Sequence, residues 1–100
     1  MKKSEIFAEI LSDVSRETEI PREIILSNCR QEEVVDARYL VIFLLKGQGF
    51  YPRMIAERVN MTSRAVRNAV AGFNARLAGS NGLRLVCDRI SRKWTKDFAK

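Results

Sequence analysis

No histidine occurs anywhere in this sequence. Its absence removes the side chain that most often does general-base work near neutral pH, and the usual partner of cysteine in zinc sites. The only cysteines, Cys29 and Cys87, are too far apart in sequence to form a metal-ligand pair and read as two idle thiols. There is no paired nucleophile, no glycine-rich phosphate cradle, and no carboxylate cluster except on exposed helix faces, so the expectation is a protein that is not an enzyme and needs no metal or cofactor. Long apolar runs are missing too. The longest, Tyr39 to Leu45, is far short of the roughly 20 residues that cross a bilayer. Lys2 and Lys3 are soon followed by Glu5 and Glu9 rather than by an apolar stretch, which argues against a signal peptide and for a cytoplasmic protein with no membrane partner. With no repeat, low-complexity tract or dividing linker, residues 1–100 read as one domain.

Acidic residues are scarce in one half only. Residues 1–50 hold 7 Lys and Arg against 9 Asp and Glu, whereas residues 51–100 hold 11 against 3. The formal net charge is +6 and the sequence pI about 9.8, which puts nucleic acid first among partners and acidic surfaces behind it.

Apolar spacing predicts an all-α bundle of about five or six helices. From Ser4 to about Thr18, Ile6, Phe7, Ile10, Leu11 and Val14 share one side, with Glu9, Asp13 and Arg16 opposite. Pro21 suits the first turn of a short helix reaching about Ser27. Gln31 to Lys46 is apolar almost all round, as a central helix must be, and Gly47 stands where a left-handed cap would end it. Gly79-Ser80-Asn81-Gly82 reads as a turn. Beyond it, Leu83, Val86, Ile90 and Trp94 recur at helical spacing, with Trp94 as the core anchor; a strand or wing over Leu83 to Ile90 is the minority reading. Arg89, Arg92, Lys93 and Lys96 form a basic run, either a solvated face or a source of added phosphate contacts.

The stretch from Pro52 to Phe73 has the spacing of a helix-turn-helix. Ala56 is small where two helices must approach, Asn60 tolerates a left-handed turn, and Ile55, Val59, Val66 and Ala69 form the inner faces. Five polar residues are left facing outward. Arg64 and Arg67 can pair bidentately with guanine and Asn68 can read adenine, while Thr62 and Ser63 suit phosphate at a helix N-terminus. The expected function is sequence-specific binding of double-stranded DNA in regulation of replication or transcription, with self-association on DNA or a replication protein as further partners. The alternative is a protein-interaction module that binds a replication or transcription protein through the acidic first half.

Leu26-Ser27, Arg30, Val34-Val35-Asp36-Ala37-Arg38, Leu40, Leu44-Leu45 and Ile55-Ala56 together resemble, in order and spacing, the carboxyl-terminal DNA-binding domain of DnaA, the bacterial chromosomal replication initiator. The resemblance covers roughly residues 5 to 95. It implies an all-α fold with a recognition helix in the major groove and a loop arginine in a minor groove. Arg30 stands where that arginine stands, and Arg38 matches the arginine opening the long central helix, so DNA-facing roles are implied for both. Without the family, Arg38 reads as a surface partner for Asp36 or Glu33. The family's Gly-Gly-Arg-Asp-His-Thr-Thr-Val signature is replaced here by Asn60-Met61-Thr62-Ser63-Arg64-Ala65-Val66, and there is no Walker A loop or room for an ATPase domain.

Overall fold

A computed structural model describes residues 2–94. They form six helices: α1 (Lys3–Thr18), α2 (Arg22–Ile25), α3 (Glu32–Gly47), α4 (Pro52–Val59), α5 (Ser63–Ala78) and α6 (Asn81–Trp94). No strand occurs among the described residues, so the wing considered for Leu83 to Ile90 is replaced by α6.

The near-continuous apolar surface of α3 has the consequence expected of it: α3 packs against all five other helices. Leu40, Val41, Ile42 and Leu45 on α3 are fully buried. Around them close Ile10 and Val14 of α1, Ile55 of α4 and Phe73 of α5, each at 0% exposure. Burying such a side chain fully stabilises the fold by about 1.5–3 kcal/mol. The Phe43 and Phe73 rings stack with centroids 4.5 Å apart, fixing where α5 crosses α3. The resulting body measures 35 × 28 × 25 Å.

Four local expectations are corrected by the structure. Asp13 does not lie on the solvent side of α1; it is 3% exposed and faces α6. Its Oδ2 accepts from Trp94 Nε1 and Lys93 Nζ, both at 3.0 Å, and its Oδ1 from Arg16 at 3.0 Å. The basic run is therefore partly spent inside the molecule, with Lys93 on Asp13 and Arg89 on Glu17 at 3.3 Å; Lys96 lies outside the described residues. The anchoring role expected of Trp94 is present, at 8% exposure. Second, α3 runs through Gly47, and the left-handed backbone falls two residues later, at Gly49 with φ 90°. Third, the break between α5 and α6 is only Gly79-Ser80. Ser80 Oγ accepts the Leu83 amide at 3.1 Å, which lets Asn81 and Gly82 open α6 instead of prolonging the turn. Fourth, Arg38 is not a surface partner of Asp36 or Glu33. It is 7% exposed, and Asp36 instead holds Arg76 of α5 at 2.6 Å.

Candidate nucleic-acid interface

Pro52 opens α4 at its first turn, where a missing amide hydrogen costs nothing. Apolar Ile55 and Val59 then bury inward, with Ala56 7% exposed beside them. The helix ends at Asn60, whose φ of 58° is the left-handed conformation that asparagine adopts at modest cost. This turns the chain so that the Met61 amide donates back to the Ala56 carbonyl at 3.2 Å. Thr62 follows in extended conformation and caps α5: its Oγ1 accepts the Ala65 amide at 3.0 Å. Three residues thus redirect the chain from α4 into α5.

Val66, Ala69 and Phe73 form the inner side of α5. Spacing of three and four residues from Arg64 carries the opposite side through Arg67, Asn68, Ala71 and Ala75, all exposed, with Asn74 alongside. The first two turns of this stripe are cationic and amide-bearing, and the later turns are small. Ala71, Asn74 and Ala75 belong to the same surface but do not stand out in the sequence, because alanine and a lone asparagine have no chemistry to single them out. Their position on the exposed stripe is what identifies them.

The cations of the described residues differ in how far they are committed to the chain itself. Arg16, Arg22, Arg38, Arg58, Arg76, Arg84, Arg89 and Lys93 all donate to carboxylates, hydroxyls or carbonyls of the chain itself. Arg30, Arg64 and Arg67 are exposed and make no hydrogen bond or ion pair with any described residue, as is also true of Lys46, Arg53 and Arg92 elsewhere on the surface. A guanidinium left in water keeps its five donors available to an incoming phosphate or base edge. Thr62 is exposed and Ser63 half-buried at the positive end of the α5 dipole, which favours an anion.

Arg30 joins this surface through a cleft. Ser27, Asn28 and Arg30 of the α2–α3 loop face Asn60 and Met61 of the α4–α5 turn across an open groove of about 420 Å³, floored in part by Val35 and Tyr39. Arg38 keeps the loop in place. Its Nε donates to the Ile25 carbonyl at 2.8 Å and its Nη2 to the Cys29 carbonyl at 3.0 Å, so one buried guanidinium ties both ends of the segment preceding Arg30 to α3. Burial lowers the Arg38 pKa, an effect opposed by the ionisable Cys29 and Tyr39. With two of its five donors on these carbonyls and the residue 7% exposed, Arg38 holds the loop from within while also lining the cleft.

Of the seven candidate residues, then, Thr62, Ser63, Arg64, Arg67 and Asn68 share one side of α5 and its cap, Arg30 lies across the adjoining cleft, and Arg38 sits beneath. No protein-family profile, curated protein or solved structure matches this chain. Among the described residues no group of histidine, cysteine or carboxylate side chains could hold a metal ion, and no helix is long and apolar enough to cross a membrane.

Proposed function

We propose that this protein binds double-stranded DNA through a helix-turn-helix formed by α4 and α5, with α5 entering the major groove. The observation that carries this reading is the exposed stripe of Arg64, Arg67 and Asn68, whose donors are not committed elsewhere among the described residues, on a helix capped and aimed by a left-handed turn. An α-helix fits the major groove, and the small Ala71 and Ala75 let its backbone come close to the base edges. Arg64 and Arg67 then pair with guanine and Asn68 with adenine. Thr62 and Ser63 hold a phosphate at the helix N-terminus. Arg30, across the cleft from the turn, contacts the neighbouring backbone or minor groove. The resemblance of Leu26 to Leu45 to the DnaA DNA-binding domain supports the same docking and suggests a role in regulating replication or transcription. The changed turn sequence points to a target other than the initiator's own.

Selection of bound duplexes from a random library, followed by mobility shifts on the enriched sequence, tests this. An enriched motif is expected, and Arg64→Ala and Arg67→Ala should each cost about 1–3 kcal/mol of binding and relax base preference at separate positions. Undiminished binding in the Arg64/Arg67 double variant would sink the major-groove arrangement. Failure to enrich any duplex would shift weight to a protein partner.

A further inference from the structure

Among the described residues Tyr51 is the most exposed large apolar side chain, and at the other end of the central helix lies an apolar groove of suitable size. Tyr51 is 72% exposed, more than the other exposed large apolar residues, Ile24 and Leu85. It follows Phe50, which is buried where α3 ends and α4 begins. Cations crowd this corner. Lys3 Nζ lies 4.7 Å and the Arg58 guanidinium 5.4 Å from the Phe50 ring centroid. Exposed Lys46 and Arg53 flank Tyr51 in the chain, and the one acid on α4 is Glu57.

The groove lies between the end of α1, the first turns of α3 and the start of α6. Ile20, Ala37, Leu83 and Val86 supply its apolar lining, and its volume is about 300 Å³, enough to admit an aromatic ring. Its rim is acidic: Glu17, Glu33 and Asp36 stand around it. Glu17 and Asp36 already engage Arg89 and Arg76, while Glu33 is exposed. The ten-residue step along α3 from Ala37 in the groove to Gly47 at the helix end spans about 15 Å, at 1.5 Å per residue.

We propose that Tyr51 of one copy inserts into this groove of a second copy, with Arg53 meeting Glu33 across the contact. Tyr51 stands at a corner where Lys3, Lys46, Arg53 and Arg58 gather, and the apolar groove carries on its rim the exposed Glu33, unpaired among the described residues. The two surfaces are therefore of opposite charge, and wrong pairings of like corners repel. Because the inserting residue and the groove are different surfaces of the same chain, the contact is heterologous. Each copy that accepts a tyrosine still presents its own, so association extends into an open row instead of closing at two. The α5 stripe takes no part in the contact.

Sedimentation velocity without DNA tests the proposal separately from the DNA-binding reading. The wild-type chain should form species larger than dimers as concentration rises, and added salt should weaken them. Tyr51→Ala, at an exposed position, should weaken association about tenfold or more. Arg53→Glu and Glu33→Arg should each weaken it as well, and their combination in one chain should restore it, which a general change in charge or folding would not do. Far-UV circular dichroism establishes that each variant remains helical. A chain that stays monomeric at millimolar concentration overturns the proposal, as does association that Tyr51→Ala leaves unchanged or a charge-reversed pair that fails to restore it.

Discussion

A carboxylate buried between two helices must meet donors or give up its charge, and Asp13 meets three. Burial pushes its carboxyl pKa up, but hydrogen bonds from Lys93, Trp94 and Arg16 outweigh that and hold it below the ordinary carboxylate value. The lowered pKa fixes the sign of its contribution to stability. That contribution is complete above the unfolded-state value of about 3.9 and is lost as pH falls through the lower folded value. Asp13→Asn would put an amide's own donors against the indole and ammonium donors, and should destabilise the protein by about 2 kcal/mol near neutral pH. In urea unfolding the gap between the two chains should close below about pH 4, as the wild-type carboxylate takes up its proton. A gap that persists unchanged into acid would show that the charge is not what Asp13 contributes. Cys87 illustrates the opposite case, since burial raises its thiol pKa and leaves it an inert core residue.

At the scale of elements, α5 contains one position where the sequence opposes the structure. Gly72 lies inside the helix, and a methyl group added there would meet nothing within 4 Å. Gly72→Ala removes unfolded-state freedom without a clash, so it should stabilise the protein by about 0.5–1 kcal/mol, equivalent to about 2–8 °C in Tm for a chain of this size. A Tm that stays level or falls in a thermal scan would mean that α5 is not a continuous helix through residue 72. The helices themselves were legible because each has a strong local signal: apolar spacing in α1 and α3, proline at the start of α4, threonine before α5. The inner faces of α4 and α5 could be read in the same way, down to the left-handed Asn60. Asp13 and Arg38 were misread for a shared reason. Their partners come from distant chain, Trp94 and Lys93 for one and the Ile25 and Cys29 carbonyls for the other, and no periodicity in the sequence encodes such a meeting. The extent of α6 was hidden differently, by a Ser80 cap whose neighbours Gly79, Asn81 and Gly82 also have turn chemistry.

Across the whole molecule, charge is segregated by element. Glu17, Glu19, Glu23, Glu32 and Glu33 gather at the end of α1, on α2 and at the start of α3, while Arg64 and Arg67 occupy the start of α5 with Arg30 across the cleft. In the proposed complex the phosphates would be attracted to the second surface and repelled by the first, so the field would orient the approach before any base is touched. Position along that surface should then separate two kinds of arginine in the proposed complex. Each phosphate neutralised releases counterions and steepens the fall of log affinity with log salt concentration by about 0.9. Arg30→Ala should therefore flatten that slope by about 0.9 and weaken binding evenly across sequences, because a backbone contact carries no base information. Arg64→Ala should leave the slope closer to wild type and change which duplexes are preferred. Fluorescence anisotropy titrations at a series of salt concentrations, on the selected duplex and on a scrambled one, measure both quantities at once. If Arg30→Ala keeps the wild-type slope, its guanidinium is not on a phosphate, and the cleft between the α2–α3 loop and the α4–α5 turn would face away from the DNA.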